Sequence, residues 1–221
     1  MKILELFAGS CSFTKTAWKL NKAKVENGFW DAEFYNTFTT DIKQNPDNTV
    51  DYVVDLMDFD YSKLPFDPDF VWASPPCTTY SIASCSTHWT PPPDRQPKTE
   101  KARDNELLIW KTLEILQELQ PKYFIIENPR GLLRKMDTLE HLPRTTVTYC
   151  QYGDIRMKPT DLWTNLIEDV WTPRPMCKNG MPCHEAAPRG SKTGTQGLKG
   201  NYERSKVPSE LCKEILESIT L

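Results

Sequence analysis

Short apolar runs that stop abruptly on small, acidic or proline residues constrain this chain more than any other feature. KILELF stops at Ala8-Gly9-Ser10, DYVVDL at Asp55, FVWAS runs into Pro75-Pro76, and YFIIEN ends on Glu127-Asn128-Pro129. A β-branched, aromatic segment around Tyr35–Thr40 likewise ends at Asp41. Runs this brief, bounded this way, read as strands. Helical spacing lies between and after them: Phe13, Ala17 and Leu20; NELLIWKTLEILQEL between Asp104 and Leu119, closed by Pro121; and SELCKEILESI near the end. Strands alternate with helices, and polar residues gather just past the strand ends. The expected fold class is α/β, an open and mostly parallel sheet with its site at the carboxyl edge of the strands. No internal repeat is present.

The 221 residues suffice for one core with a small appendage. With 26% charged and 38% hydrophobic residues the composition is that of a globular protein, and the net charge of −3 announces no nucleic-acid partner. Charge distribution matters more than the sum, so none is excluded. No apolar run approaches the ~18 residues of a membrane span, and MKILELFAGS lacks a signal-peptide core. The expectation is a cytoplasmic protein with no membrane partner. The seven scattered cysteines, an odd number, read as free thiols in a reducing compartment.

Chemistry concentrates at the strand ends. LFAGSCSF places small residues between a strand and a helix, so backbone can approach a ligand closely, although a plain turn reads equally well. A carboxylate at Asp41 can take both ribose hydroxyls, and Asp55 can accept from an exocyclic amine; either can equally be a cap or turn residue. Together they outline a nucleoside-binding edge. Pro75 and Pro76 deliver Cys77 on a stiff loop. Its thiolate needs an electropositive setting or a base. Glu127, at another strand end, is the partner: sulfur adds to an electron-poor ring while the carboxyl holds a ring nitrogen. The plainer alternatives are a buried small hydrophobe at Cys77 and a helix cap at Glu127.

These residues carry a resemblance. LELFAGSCSF is similar to the DLFAGxGG cofactor motif of cytosine-5 DNA methyltransferases, ASPPCTTYS to their PPCQxFS loop, and IIENPRGL to their ENV motif. TYCQYGDIRMKPTDLW resembles the YGxPQxRxR strand, and RSKVPSELCKEIL the GNAVPPxLxxxI segment. The matches keep the family's order over nearly the whole chain. The resemblance implies a Rossmann-like, S-adenosylmethionine-dependent methyltransferase sheet with a short irregular recognition insert. It also implies methyl transfer to C5 of cytosine in DNA. Cys77 would attack C6, Glu127 engage N3, and Lys158, where the family has the first arginine of QxRxR, hold the ring carbonyl. Phe7, Ala8, Gly9, Ser10 and Cys11 would line the methionine end of the cofactor, Asp41 with Ile42 the ribose, and Asp55 with Leu56 the adenine. Ser205 would return to that pocket, and Pro75 would lie by cofactor and target base. A duplex target must leave the stack to be reached.

The chain departs from the family pattern at Thr78, Pro129, Arg156, Thr160 and Ser205. It also departs in size: only about 40 residues, Leu166 to Arg204, stand where a recognition domain is expected. The expected organisation is a catalytic and cofactor domain over 1–165, a recognition insert over 166–203 and a returning segment over 204–221. From Trp171 to Lys206 seven basic residues face two acidic ones, which suits phosphate contacts through Arg189, Lys192 and Lys199. Ser81, Arg95 and Lys98, on the loop after Cys77, are further candidates for DNA contact. A solvated insert and a mobile surface loop account for the same compositions. The insert also holds CKNGMPCH; Cys177, Cys183 and His184 lack CxxC spacing and a fourth ligand unless Cys150 folds back, so no metal is assigned. Cys85 and Cys212 read as packing residues. RNA or a free pyrimidine nucleotide as substrate, and a non-catalytic cofactor-binding protein acting through DNA or protein contacts, stay open. A monomer, with or without a specificity partner, is expected, in a host cytoplasm or nucleoid if the source is a phage or other mobile element.

Overall fold

In the computed structural model, residues 1–29, 33–178, 180–186, 198 and 200–220 are described. The apolar runs become β1 (Lys2–Leu6), β2 (Asn36–Asp41), β3 (Tyr52–Val53), β4 (Phe70–Ala73) and β5 (Tyr123–Pro129), followed by β6 (Arg144–Thr148) and β7 (Pro159–Thr164). They form one sheet in the order β3-β2-β1-β4-β5-β7-β6. The first five strands are mutually parallel, and β7 runs antiparallel between β5 and β6. Strand order reverses between β1 and β4, which opens a crevice at their carboxyl ends.

Alternation along the strands divides the core. Ile3, Phe70, Trp72 and Ile125 face one side, with Phe13 and Ala17 of α1 (Ser12–Glu26) and Leu211, Ile215 and Ile219 of α5 (Ser209–Thr220). Leu4, Leu6, Val71 and Ile126 face the other, against Ile109, Ile115 and Leu116 of α3 (Glu100–Leu119). Helix α3 starts four residues before the point expected from periodicity, because the Thr99 side chain accepts from the Ala102 N–H and caps it. DYVVDL pairs at Tyr52 and Val53 alone. No helix begins at Pro129; the chain passes into 3-10 turns at Leu133–Lys135 and Asp137–Leu139. Two short helices complete the described structure, α2 (Cys85–His88) and α4 (Asn201–Ser205). No helix among the described residues is long and apolar enough to cross a membrane.

Helix α1 begins without an ordinary cap. Cys11 sits at its N-cap in a left-handed conformation (φ 52°) and makes no side-chain cap bond. Buried Glu5 reaches in from β1 instead: Oε2 accepts from the Thr14 N–H at 2.9 Å and Oε1 from the Phe13 N–H at 3.3 Å. A carboxylate there also meets the positive end of the helix dipole. Burial nevertheless pushes Glu5 up to about 7, against the pull of those hydrogen bonds. The folded state therefore holds this proton more tightly than the unfolded chain, where a glutamate titrates near ~4.3. Stability from this group is greatest below that value and declines as pH rises to about 7. Denaturant melts from pH 4 to 8 on the wild type and Glu5→Gln measure it; the variant is expected to lose that part of the slope.

Candidate active site

The crevice at the strand reversal gathers the segments that chemistry singled out. Leu6 pairs with Ala73, and Ala73 with Ile126, so Phe7, Ser74 and Glu127 follow side by side at the sheet's carboxyl edge. After β1 the backbone coils through three positive-φ residues, Phe7 (53°), Gly9 (49°) and Cys11 (52°). The Gly9 N–H donates to Asp41 Oδ2 at 2.9 Å, which ties the turn to the end of β2. A Cβ on Gly9 would lie 3.3 Å from Ser205 Oγ, so the C-terminal segment does return to this turn. Val207 N–H donates to Ser12 Oγ (3.0 Å), and Ser12 Oγ also bonds Ser10 Oγ (2.8 Å), closing the same corner.

Among the residues expected at the nucleoside edge, Asp41 serves two backbone N–H groups, those of Gly9 and Lys43. Asp55 caps a 3-10 turn through the Met57 N–H, the plainer role its position allows. Leu56 is buried in the core with Phe59, whereas Ile42 is exposed. Ala8 and Cys11 are buried, the Cys11 thiol accepting from Asn45 and pushed up to about 11 by burial and by Glu5.

Beyond β4, Asn128 Nδ2 donates to the carbonyl of buried Pro75 at 2.9 Å, latching the nucleophile loop to β5. The Cys77 carbonyl then accepts from the Tyr80 and Ser81 N–H groups, each at 3.1 Å, in a tight turn. Burial, then the Glu127 carboxylate, pushes the Cys77 thiol up, while Lys158 and Arg204 pull it down. Glu127 is buried; its Oε1 accepts from Tyr149 Oη at 2.9 Å and lies 4.0 Å from Lys158 Nζ. Lys158 Nζ lies 4.5 Å from the Tyr149 ring centroid and donates to the Arg204 carbonyl at 3.3 Å. Burial lowers the Lys158 ammonium, against the attraction of Glu127. Cys77, Glu127 and Lys158 thus lie close enough to influence one another's charge.

The loop after Cys77 is anchored as well as exposed. Tyr80 and Trp89 stack at 5.2 Å and are buried, Trp89 Nε1 donates to the Thr79 carbonyl, and Asn105 holds the Thr79 hydroxyl. Ser81 Oγ bonds Ser84 Oγ (2.8 Å), Lys98 Nζ donates to the Ser86 carbonyl (2.5 Å) and Arg95 to that of Pro93 (3.4 Å). Ser81, Arg95 and Lys98, proposed for DNA contact, thus lie on the segment that follows Cys77, each with a local hydrogen bond. Arg189, Lys192 and Lys199 lie outside the described residues. A surface cleft of about 760 Å³, lined by Trp110, Leu113, Phe124 and Leu142, contains none of the site residues.

Several functional neighbours escaped sequence reasoning. Tyr149 and Asn128 act across strands, and the IIENPRGL match offered only Asn128 as a signal. Arg156 is buried against Asp154, with Nε 2.9 Å from Oδ1, and donates to the carbonyls of Arg204 and Lys206. Gly131 abuts the nucleophile loop: a Cβ there would stand 2.3 Å from the Tyr80 carbonyl oxygen.

The family model for C-5 cytosine-specific DNA methylases matches residues 1–147. The chain is also 30% identical over 237 residues to the "Probable DNA (cytosine-5)-methyltransferase" of Frog virus 3 (isolate Goorha), covering 98% of this chain and 99% of the relative. The chain belongs to the C-5 cytosine-specific DNA methylase family. Similar solved structures include the S. pombe Dnmt2 methyltransferase (TM-score 0.48, 17% identity, 77% of this chain and 53% of that one). Another is the Entamoeba histolytica methyltransferase EhMeth (0.48, 12%, 74% and 52%). This methylase spans about half the length of those structures.

Two outcomes test this geometry. Gly131→Ala must displace the Tyr80 carbonyl, and is expected to cost ~1–3 kcal/mol in denaturant melts and to slow methyl transfer. Alkylation of Cys77 by iodoacetamide, followed on its peptide by mass spectrometry, should have a midpoint above the ordinary cysteine value of ~8.5. Glu127→Gln removes a negative charge and should lower that midpoint; Lys158→Gln should raise it. An unshifted midpoint in both variants would contradict the coupling.

Proposed function

We propose that Cys77, Glu127 and Lys158 carry the reaction of this family, methyl transfer from S-adenosylmethionine to C5 of cytosine in DNA, through a covalent Cys77–C6 adduct. The observation that carries the reading is the convergence of a stiffly held thiol, a buried carboxylate and a half-buried lysine beside a glycine turn. The turn suits the cofactor. Its backbone coils through Phe7, Gly9 and Cys11 with positive φ, and the bare Gly9 Cα faces Ser205 where a Cβ would crowd the space. Phe7 through Cys11, Asp41, Ile42, Asp55, Leu56, Pro75 and Ser205 form the cofactor side in this reading. S-adenosylmethionine, when bound there, supplies the methyl group that C5 takes up.

Cys77 sulfur gives an electron pair to C6 of the cytosine, and the C5–C6 π electrons move to C5. The neutral thiol, favoured over the thiolate by burial and by Glu127, gives up its proton as the bond forms, and that proton ends on N3 of the ring. Glu127 Oε2 accepts from N3 once the ring carries that proton, because Tyr149 engages Oε1. Lys158 faces the ring carbonyl, whose oxygen gains charge as sulfur adds. After methylation C5 loses its proton to solvent, the C5–C6 double bond re-forms, and the sulfur leaves with its electron pair and regains the proton from N3. The target cytosine is extruded from the duplex, because C6 is otherwise shielded.

The catalytic and cofactor body is 1–165, closed by 204–221; the insert 166–203 and the loop bearing Ser81, Arg95 and Lys98 contact DNA, with Arg189, Lys192 and Lys199 on phosphates. So short an insert supports a short or relaxed target, with any further selectivity supplied by a partner protein. The enzyme acts as a monomer in a host cytoplasm or nucleoid.

Transfer of tritiated methyl to duplex DNA, single-stranded DNA, RNA and dCMP tests the assignment. Label is expected in DNA, lost in Cys77→Ala and reduced ~10²–10⁴-fold in Glu127→Gln. DNA carrying 5-fluorocytosine cannot lose a C5 proton and should trap a denaturant-stable adduct with the wild type alone. Label confined to RNA or dCMP would overturn the substrate. Undiminished label in Cys77→Ala would overturn the nucleophile.

A further inference from the structure

A second cluster lies outside the catalytic crevice, and the reaction makes no use of it. Cys150, Cys177, Cys183 and His184 converge from two distant segments, with one potential ligand atom from each and all within 4.8 Å of one another. Cys177 Sγ lies 3.2 Å from Cys183 Sγ and 3.5 Å from His184 Nδ1; Cys183 Sγ lies 3.7 Å from both Cys150 Sγ and His184 Nδ1. We propose that these four side chains bind one structural zinc ion, which staples the insert to the wall of the active site.

The separations fit a tetrahedron. Zinc bonds of about 2.3 Å to sulfur and about 2.0 Å to nitrogen imply S···S edges of about 3.8 Å and S···N edges of about 3.5 Å. The imidazole turns Nδ1, not a C–H edge, toward the sulfurs. All seven cysteines are free thiols, and 3.2 Å is far beyond a disulfide bond of ~2.05 Å. Three thiolates and a neutral imidazole, all from protein, leave no open position, which marks a structural site and not a catalytic one. Soft sulfur donors in tetrahedral array select zinc over oxygen-seeking cations.

The surroundings are built to hold it. The Cys177 N–H donates to Thr148 Oγ1 (2.8 Å), and the Glu185 N–H to the Ile155 carbonyl (2.8 Å), so both ends of the knuckle are pinned. Gly180 (φ 85°) turns the chain between Cys177 and Cys183. Gln151 Nε2 donates to Cys183 Sγ at 3.4 Å, the kind of outer hydrogen bond that orients a thiolate ligand. Cys150 follows Tyr149 directly in the 3-10 turn Tyr149–Tyr152, and Tyr149 holds Glu127. A segment too short and polar for its own core gains a fixed position from such a cross-link.

The test uses the full chain without a histidine tag, purified under reducing conditions. Elemental analysis is expected to find about one zinc per chain. Cys177→Ser and Cys183→Ser should fall below about a tenth of that, while Cys85→Ser, outside the cluster, keeps it. If a cysteine variant fails to fold, the wild type still decides: exchange with Co²⁺ should give thiolate charge-transfer and tetrahedral ligand-field absorption. His184→Ala, checked for fold by circular dichroism, should bind Co²⁺ at least about tenfold more weakly. A folded wild type with no zinc and no tetrahedral cobalt spectrum overturns the proposal, as does full zinc content in a folded Cys177→Ser.

Discussion

The positions of Phe7, the Cys77 loop and Glu127 follow from one hydrogen-bonded register, Leu6 beside Ala73 beside Ile126. Parallel strands deliver their next residues to the same edge of the sheet. Here those residues open the cofactor turn, the proline-stiffened nucleophile loop and the carboxylate strand. A slip of one residue in β4 would turn Val71 and Ala73 to the face now filled by Phe70 and Trp72. The core on both faces forbids it: Trp72 stacks at 4.8 Å on Phe13, and Val71 belongs to the cluster under α3. Packing far below the site therefore fixes its geometry above. The Asn128–Pro75 latch then transmits the strand register into the loop itself.

The C-terminal segment supplies a second constraint, because residues 204–207 touch both halves of the crevice. Ser205 stands over Gly9 and Val207 bonds Ser12 on the cofactor side. On the substrate side the Arg204 carbonyl accepts from Lys158 and Arg156. That carbonyl gives the half-buried Lys158 ammonium a partner other than Glu127. It leaves the carboxylate 4.0 Å away, close enough for attraction and free of a short ion pair. A pair locked at hydrogen-bond distance would compete with a pyrimidine for the same groups. In the proposed mechanism the longer separation leaves Glu127 Oε2 and the remaining Lys158 N–H groups for adjacent atoms on one edge of the base.

Much of this arrangement was legible because it is local. Strand ends, the double proline before Cys77 and the helical spacing of α5 depend on neighbours in sequence, and β1, β4, β5 and α5 appear where the patterns place them. What escaped depends on distant partners. Tyr149 reads as one aromatic among several until antiparallel β7, paired to β6, brings it beneath Glu127. Glu5 breaks an otherwise apolar run, and only the geometry of the following turn shows that it replaces the missing helix cap. Tyr80 and Trp89 sit in a polar, proline-rich stretch whose composition suggests a solvated loop, yet their stacking anchors it. Cys150 completes the thiol cluster because the chain folds back over the 149–152 turn, a condition that spacing cannot supply.

The insert shows how little chain remains for reading DNA. Its first part belongs to the catalytic body: Leu166 and Trp171 are buried in the core beside α5, and Trp171 Nε1 donates to Glu214. Arg174, one of the basic residues of this stretch, is spent on Glu210, Glu214 and the Gln151 carbonyl, so its charge faces protein. The thiol–imidazole knuckle then fixes the chain again at 177–184. Counting basic residues along the insert therefore overstates the charge it offers to phosphate. In the proposed reading, nucleic acid is left to the stretch beyond Glu185 and the loop after Cys77. Backbone contacts from two short segments can position a duplex, but base edges are read by side chains held rigidly in a groove. In the proposed reading, so short an insert favours backbone contacts over base reading, and further selectivity would come from a partner protein.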